Sequence, residues 1–114
     1  MTIREYIKIH TEGSFINHYC ITIKPFSVCG KNHKEQQEAM QVVFKKQKEN
    51  GIRLTEKVRF YSTKELAKKV DFSIEVKRVK VGYDSLYSYD AKPETTFYID
   101  DTEFLKIAKS CEDM

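Results

Sequence analysis

Four residues stand at spacings that can do metal or thiol chemistry: His18, Cys20, Cys29 and His33. His18 and Cys20 are two apart in a β-branched, aromatic stretch, so on a strand they point to the same face. Cys29 and His33 flank a glycine-containing connection. Thiolate and imidazole are the preferred ligands of zinc, so the quartet can form a tetrahedral site. The order departs from the usual one, in which Cys pairs with Cys and His with His. The plainer reading makes Cys20 a small core residue and His18 a half-buried strand residue, with Cys29 and His33 on the surface. A cysteine nucleophile is the other chemical option. Cys29 precedes a helix start, whose dipole lowers a thiol pKa, and His33 is near. No orienting carboxylate accompanies them.

Asp100, Asp101 and Glu103 form the one dense acidic cluster. Carboxylates there can hold a divalent cation, but at a helix start they are first of all caps stabilised by the macrodipole. The chain has no P-loop, GxGxxG, HExxH or GxSxG pattern, and no tryptophan. The expectation is therefore a protein that is not an enzyme and holds no cofactor, zinc being the one candidate.

Binding has more support. Residues 45–80 carry 12 Lys/Arg against 5 Asp/Glu, a net +7, whereas residues 81–114 carry 3 against 8, a net −5. Arg59, Lys77, Arg78 and Lys80 fall on predicted strands with Phe60, Tyr61 and Tyr83 nearby, a mixture that can hold phosphates while bases stack on rings. Lys45, Lys46, Lys48, Lys64, Lys68 and Lys69 add charge from two helices. Against this, lysine is also the ordinary residue of a solvated helix surface, and the sequence pI of 8.7 is below that of a dedicated nucleic-acid binder.

The acidic end carries a different signal. Tyr83, Tyr87 and Tyr89 lie within seven residues, together with Leu86, Asp84 and Asp90. Tyrosine offers a large contact area at small rotamer cost. The primary expectation is accordingly a protein–protein interaction module, an inhibitor or accessory protein. The tyrosine loop supplies anchors, and Asp84, Asp90, Asp100 and Asp101 steer a basic partner. Self-association through an open sheet edge is a variant. Nucleic-acid binding through the basic strands is the alternative, and a zinc- or thiol-dependent protein the third. A charge-rich, Trp-free chain without enzyme motifs suits an accessory protein of a phage or mobile element.

The elements that must position these groups follow from periodicity. The 114 residues fit one domain with its own core. Three cysteines close no disulfide framework, no signal peptide or membrane-length apolar run is visible, and a cytoplasmic location with no membrane contact is expected. Ile3, Ile7 and Ile9 read as a strand, Gly13 as a turn, and Phe15–Ile23 as the returning strand of a hairpin. Asn32 and Glu35 form a capping box that opens a long helix, with Ala39, Met40, Val43, Phe44 and Gln47 on one face and Gly51 as its stop. Val58 and Phe60 mark a short strand. Ser62 and Glu65 open a short helix that ends near Lys69. Phe72, Ile74 and Val76 alternate, and Val79 and Val81 alternate in the opposite phase, so a bulge is expected near Lys77-Arg78. A last strand over Thr96–Ile99 leads to a helix capped by Asp100. The expected fold is α+β: a mainly antiparallel sheet of about five strands with one long and two shorter helices packed on one face.

Overall fold

The computed structural model describes residues 1–10, 19–26, 32–83 and 93–112. The α+β class holds, with four helices and one four-stranded mixed sheet among the described residues.

The chain opens with a helix, α1 (Ile3–His10), not with a strand. Thr2 and Glu5 explain why. The Glu5 backbone N–H donates to Thr2 Oγ1 at 3.1 Å, and the Thr2 N–H donates back to Glu5 Oε2 at 3.4 Å. That is a complete capping box. The apolar positions agree, since Ile3, Tyr6 and Ile7 share one helical face while Ile9 is left 59% exposed. The N-terminal hairpin is thereby replaced, and residues 11–18, which held its turn, lie outside the described set.

The segment from Phe72 to Val76 is not a strand either, apart from a single bridge between Glu75 and Thr2. Its backbone serves α1 instead. The Phe72 and Ile74 carbonyls accept from the Arg4 and Ile3 N–H groups at 3.0 and 3.1 Å, filling orphan donors of the helix start. The phase slip thus marks a change of partner between residues 72–76 and the following strand, not a bulge.

The strands are β1 (Cys20–Pro25), β2 (Val58–Phe60), β3 (Arg78–Tyr83) and β4 (Pro93–Ile99), in the order β2-β1-β4-β3. The central pair β1–β4 is parallel and the two outer pairings are antiparallel. The sheet is therefore mixed and has four strands, where a mainly antiparallel one of five was expected. β1 and β4 are the central strands, each paired along both edges, and burial along them does not alternate. Cys20 through Ile23 are all buried, and so are Thr95 through Ile99.

One sheet face carries Ile21, Ile23, Phe60, Phe97 and Ile99 into the core. Against it pack Ile3 and Tyr6 of α1, Leu66 of α3 (Thr63–Lys69), and Phe104, Ile107 and Ala108 of α4 (Asp101–Glu112). The Tyr6 ring meets Phe97 edge-on, with centroids 5.3 Å apart. The longest helix, α2 (His33–Asn50), behaves differently. Asn32 caps it by accepting from the Glu35 N–H at 2.9 Å, and Gly51 ends it in the left-handed region at φ 70°. Yet none of its residues is buried. Val43 packs on the margin of the core, while Met40 and Phe44 stay exposed. The expected packing of the long helix with the others on one face is thus corrected, because its apolar side holds too few residues to be drawn in.

Candidate nucleic-acid interface

The sheet face turned away from α1, α3 and α4 is fixed by strand register. Three rows cross it. Lys24 of β1 pairs with Tyr98 of β4, which pairs with Arg78 of β3. In the next row Arg59 of β2 meets Thr22, then Thr96, then Lys80. In the third, Cys20 meets Glu94 and Gly82. Side chains directly opposite one another share a face, so these residues form one surface. Lys24, Arg59, Arg78 and Lys80 lie on it, against a single carboxylate, Glu94, among the described residues. In the second row, two cations bracket two threonines at a span of about 14 Å, three strand spacings.

The polar groups of this face are organised. The Thr22 hydroxyl donates to Glu94 Oε1 at 2.9 Å, and the Arg59 guanidinium reaches the same oxygen at 3.8 Å. The Arg78 guanidinium lies over the Tyr98 ring, 4.0 Å from its centroid, a cation–π contact. Lys80 is exposed. A groove of about 200 Å³ lies on the face, lined by Lys24, Lys57, Lys80, Tyr83, Thr96 and Tyr98 together with the Glu94 carboxylate. Its walls come from strand residues and Lys57, and no residue of a described helix lines it.

The four basic residues singled out by sequence divide accordingly. Arg59, Arg78 and Lys80 come together on one face. Lys77 stands just before β3, where its N–H donates to the Tyr98 carbonyl at 2.6 Å and its ammonium lies 5.9 Å from the Phe26 ring centroid. Lys64, Lys68 and Lys69 belong to α3, on the opposite side of the sheet. Lys46 is engaged with Asp101 in an ion pair that joins α2 to the start of α4, and that hydrogen bond raises the Lys46 pKa. Lys24, Lys57 and Tyr98 were missed. The signal for Lys24 and Tyr98 was the even positions of Cys20-Ile21-Thr22-Ile23-Lys24 and of Glu94-Thr95-Thr96-Phe97-Tyr98, read as one face each.

The other candidates fare unevenly. Of the tyrosine loop only Tyr83 is described, and it is exposed and lines the groove. Asp84, Leu86, Tyr87, Tyr89 and Asp90 lie outside the described residues. So do His18 and Cys29 of the zinc quartet. Cys20 is buried in β1, and His33 begins α2, its Nε2 3.0 Å from Gln37 Nε2. Among the described residues no three His, Cys, Asp or Glu side chains converge as a metal site. The acidic cluster is absorbed structurally. Asp100 caps α4, accepting from the Thr102 N–H at 2.9 Å, which holds its carboxyl below the usual range, and Asp101 pairs with Lys46.

No protein-family model matches the chain, and neither curated proteins nor solved structures offer a match. Among the described residues no helix is long and apolar enough to cross a membrane.

Proposed function

We propose that this protein is a binding module that carries single-stranded nucleic acid on the sheet face turned away from α1, α3 and α4. The observation that carries this reading is the convergence of Lys24, Arg59, Arg78 and Lys80, drawn from three strands, on one sheet face. Cations so spaced attract a phosphate chain, and the Arg78 guanidinium over its ring offers a stacking partner to an unstacked base. A sheet face favours a single strand, whose bases can turn to the protein.

The test is fluorescence anisotropy of a labelled single-stranded oligonucleotide titrated with protein over a series of salt concentrations. Affinity is expected to fall with salt at a slope of about −0.7 per phosphate contacted, and Lys80→Ala to reduce that slope by roughly 0.7. Absence of binding at low salt, or a slope that Lys24→Ala and Lys80→Ala leave unchanged, removes the proposal.

A further inference from the structure

Next to the basic face lies a second, larger cavity, of about 390 Å³, between α2 and the end of the sheet. Its walls are apolar: Phe26 from the end of β1, Ala39, Met40 and Val43 from α2, and Leu54. The two cavities are neighbours, with Lys24 and Tyr98 lining both. Arg78 borders the second cavity with its guanidinium on the Tyr98 ring, and Lys24 stands beside it. Asp101, the acid on the lining, is neutralised by its ion pair with Lys46.

An apolar slot beside a row of cations fits one part of a nucleic acid strand. The phosphates stay with the cations and one base turns into the slot. We infer that this cavity is a nucleobase pocket, which takes a base unstacked from the strand lying on the sheet face. The inference rests on the proposed function, and it adds what charge alone does not supply: recognition of the base. The volume falls within the range of small-molecule sites, about 300–1,000 Å³. The base slides between Phe26 and Met40 with Arg78 at the mouth. Phe26 and Met40 are both more than two-fifths exposed, so they give the pocket its shape without carrying the core.

The experiment compares two single strands of equal length and charge, one with bases and one fully abasic. The intact strand is expected to bind about tenfold more tightly, the scale of one stacked base. In the double variant Phe26→Ala, Met40→Ala that ratio should collapse toward one while the affinity for the abasic strand is unchanged. Circular dichroism of the variant checks that it folds. Equal binding of the two strands by the unaltered protein overturns the pocket and leaves the basic face standing. A preference for bases that survives undiminished in the double variant also overturns it, by placing the stacking elsewhere. Failure of both strands to bind removes the pocket and the face together.

Discussion

Asp100 shows how much one side chain can settle. Its carboxylate accepts from the Thr102 N–H at 2.9 Å, and its own carbonyl accepts from the Phe104 N–H at 3.0 Å, so it closes the first turn of α4 from both sides. Phe104 and Ile107 reach the core from that turn and the next, and the cap therefore fixes core residues as well as helix ends. An N-cap of this kind contributes about 1 kcal/mol. The hydrogen bond from Thr102 favours the ionised form and lowers the Asp100 pKa, with the charge of Lys77 a smaller contribution. A depressed folded-state pKa means that the unfolded chain binds the proton more readily. The stabilisation is therefore complete above the unfolded value, about 3.9, and is lost as pH falls through the folded one. Asp71, whose pKa is lowered by the Ser73 N–H and hydroxyl, works in the same direction. Asp100→Ala is expected to destabilise the protein by about 1 kcal/mol near neutral pH. Urea denaturation repeated in acid should show that deficit shrinking below about pH 4. A deficit that is constant with pH would mean that the carboxylate is not the capping group.

At the level of elements, α1 is the most informative. A strand and a helix over Ile3–Ile9 make opposite demands on Ile9. A strand of that phase needs it inside with Ile3 and Ile7, whereas the helix buries Ile3 and Tyr6 and turns Ile9 to solvent. Ile3→Ala is expected to cost about 2–4 kcal/mol, as a fully buried residue. Ile9→Ser should stay within about 0.5 kcal/mol, as a surface change. Comparable losses at both positions in chemical denaturation would restore the strand. The Thr2-x-x-Glu5 box has the same form as the caps at Asn32, Ser62 and Asp100, where helices also begin, and here it prevails over the alternation of three isoleucines. Caps are local chemistry between residues three apart, and a sequence displays them directly. Strand neighbours are not local. Nothing in the spacing of Lys24 and Arg78, fifty-four residues apart, announces that Tyr98 will seat both of them. The buried runs Cys20–Ile23 and Thr95–Ile99 did carry the signal of central strands, in their lack of charge rather than in alternation. Half of the basic face was therefore legible as charge on strands, and its assembly only from register.

For the molecule as a whole, the decisive fact is that the core and the longest helix do not coincide. The radius of gyration is 15.1 Å, above the roughly 13 Å of a compact chain of this length. The long axis measures 42 Å, and α2, about 27 Å in length, buries no residue. Among the described residues it is linked to the body by Val43 at the core margin, the Lys46–Asp101 pair, and a contact from Lys109 Nζ to Asn50 Oδ1 at 3.3 Å. Helical stability in proteins comes mainly from a packed face, so an unburied helix opens at far lower free energy than the sheet it adjoins. Hydrogen exchange is expected to rank the elements accordingly. The amides of β1 and β4, each strand paired along both edges, should exchange near the rate of global unfolding. Those of α2 should exchange orders of magnitude faster. Equal protection of α2 and β4 would show that the helix is held by more than these contacts. The ranking bears on the proposed pocket, because Ala39, Met40 and Val43 form one of its walls. If the proposed pocket takes a base, a wall that opens readily can admit it without disturbing the sheet.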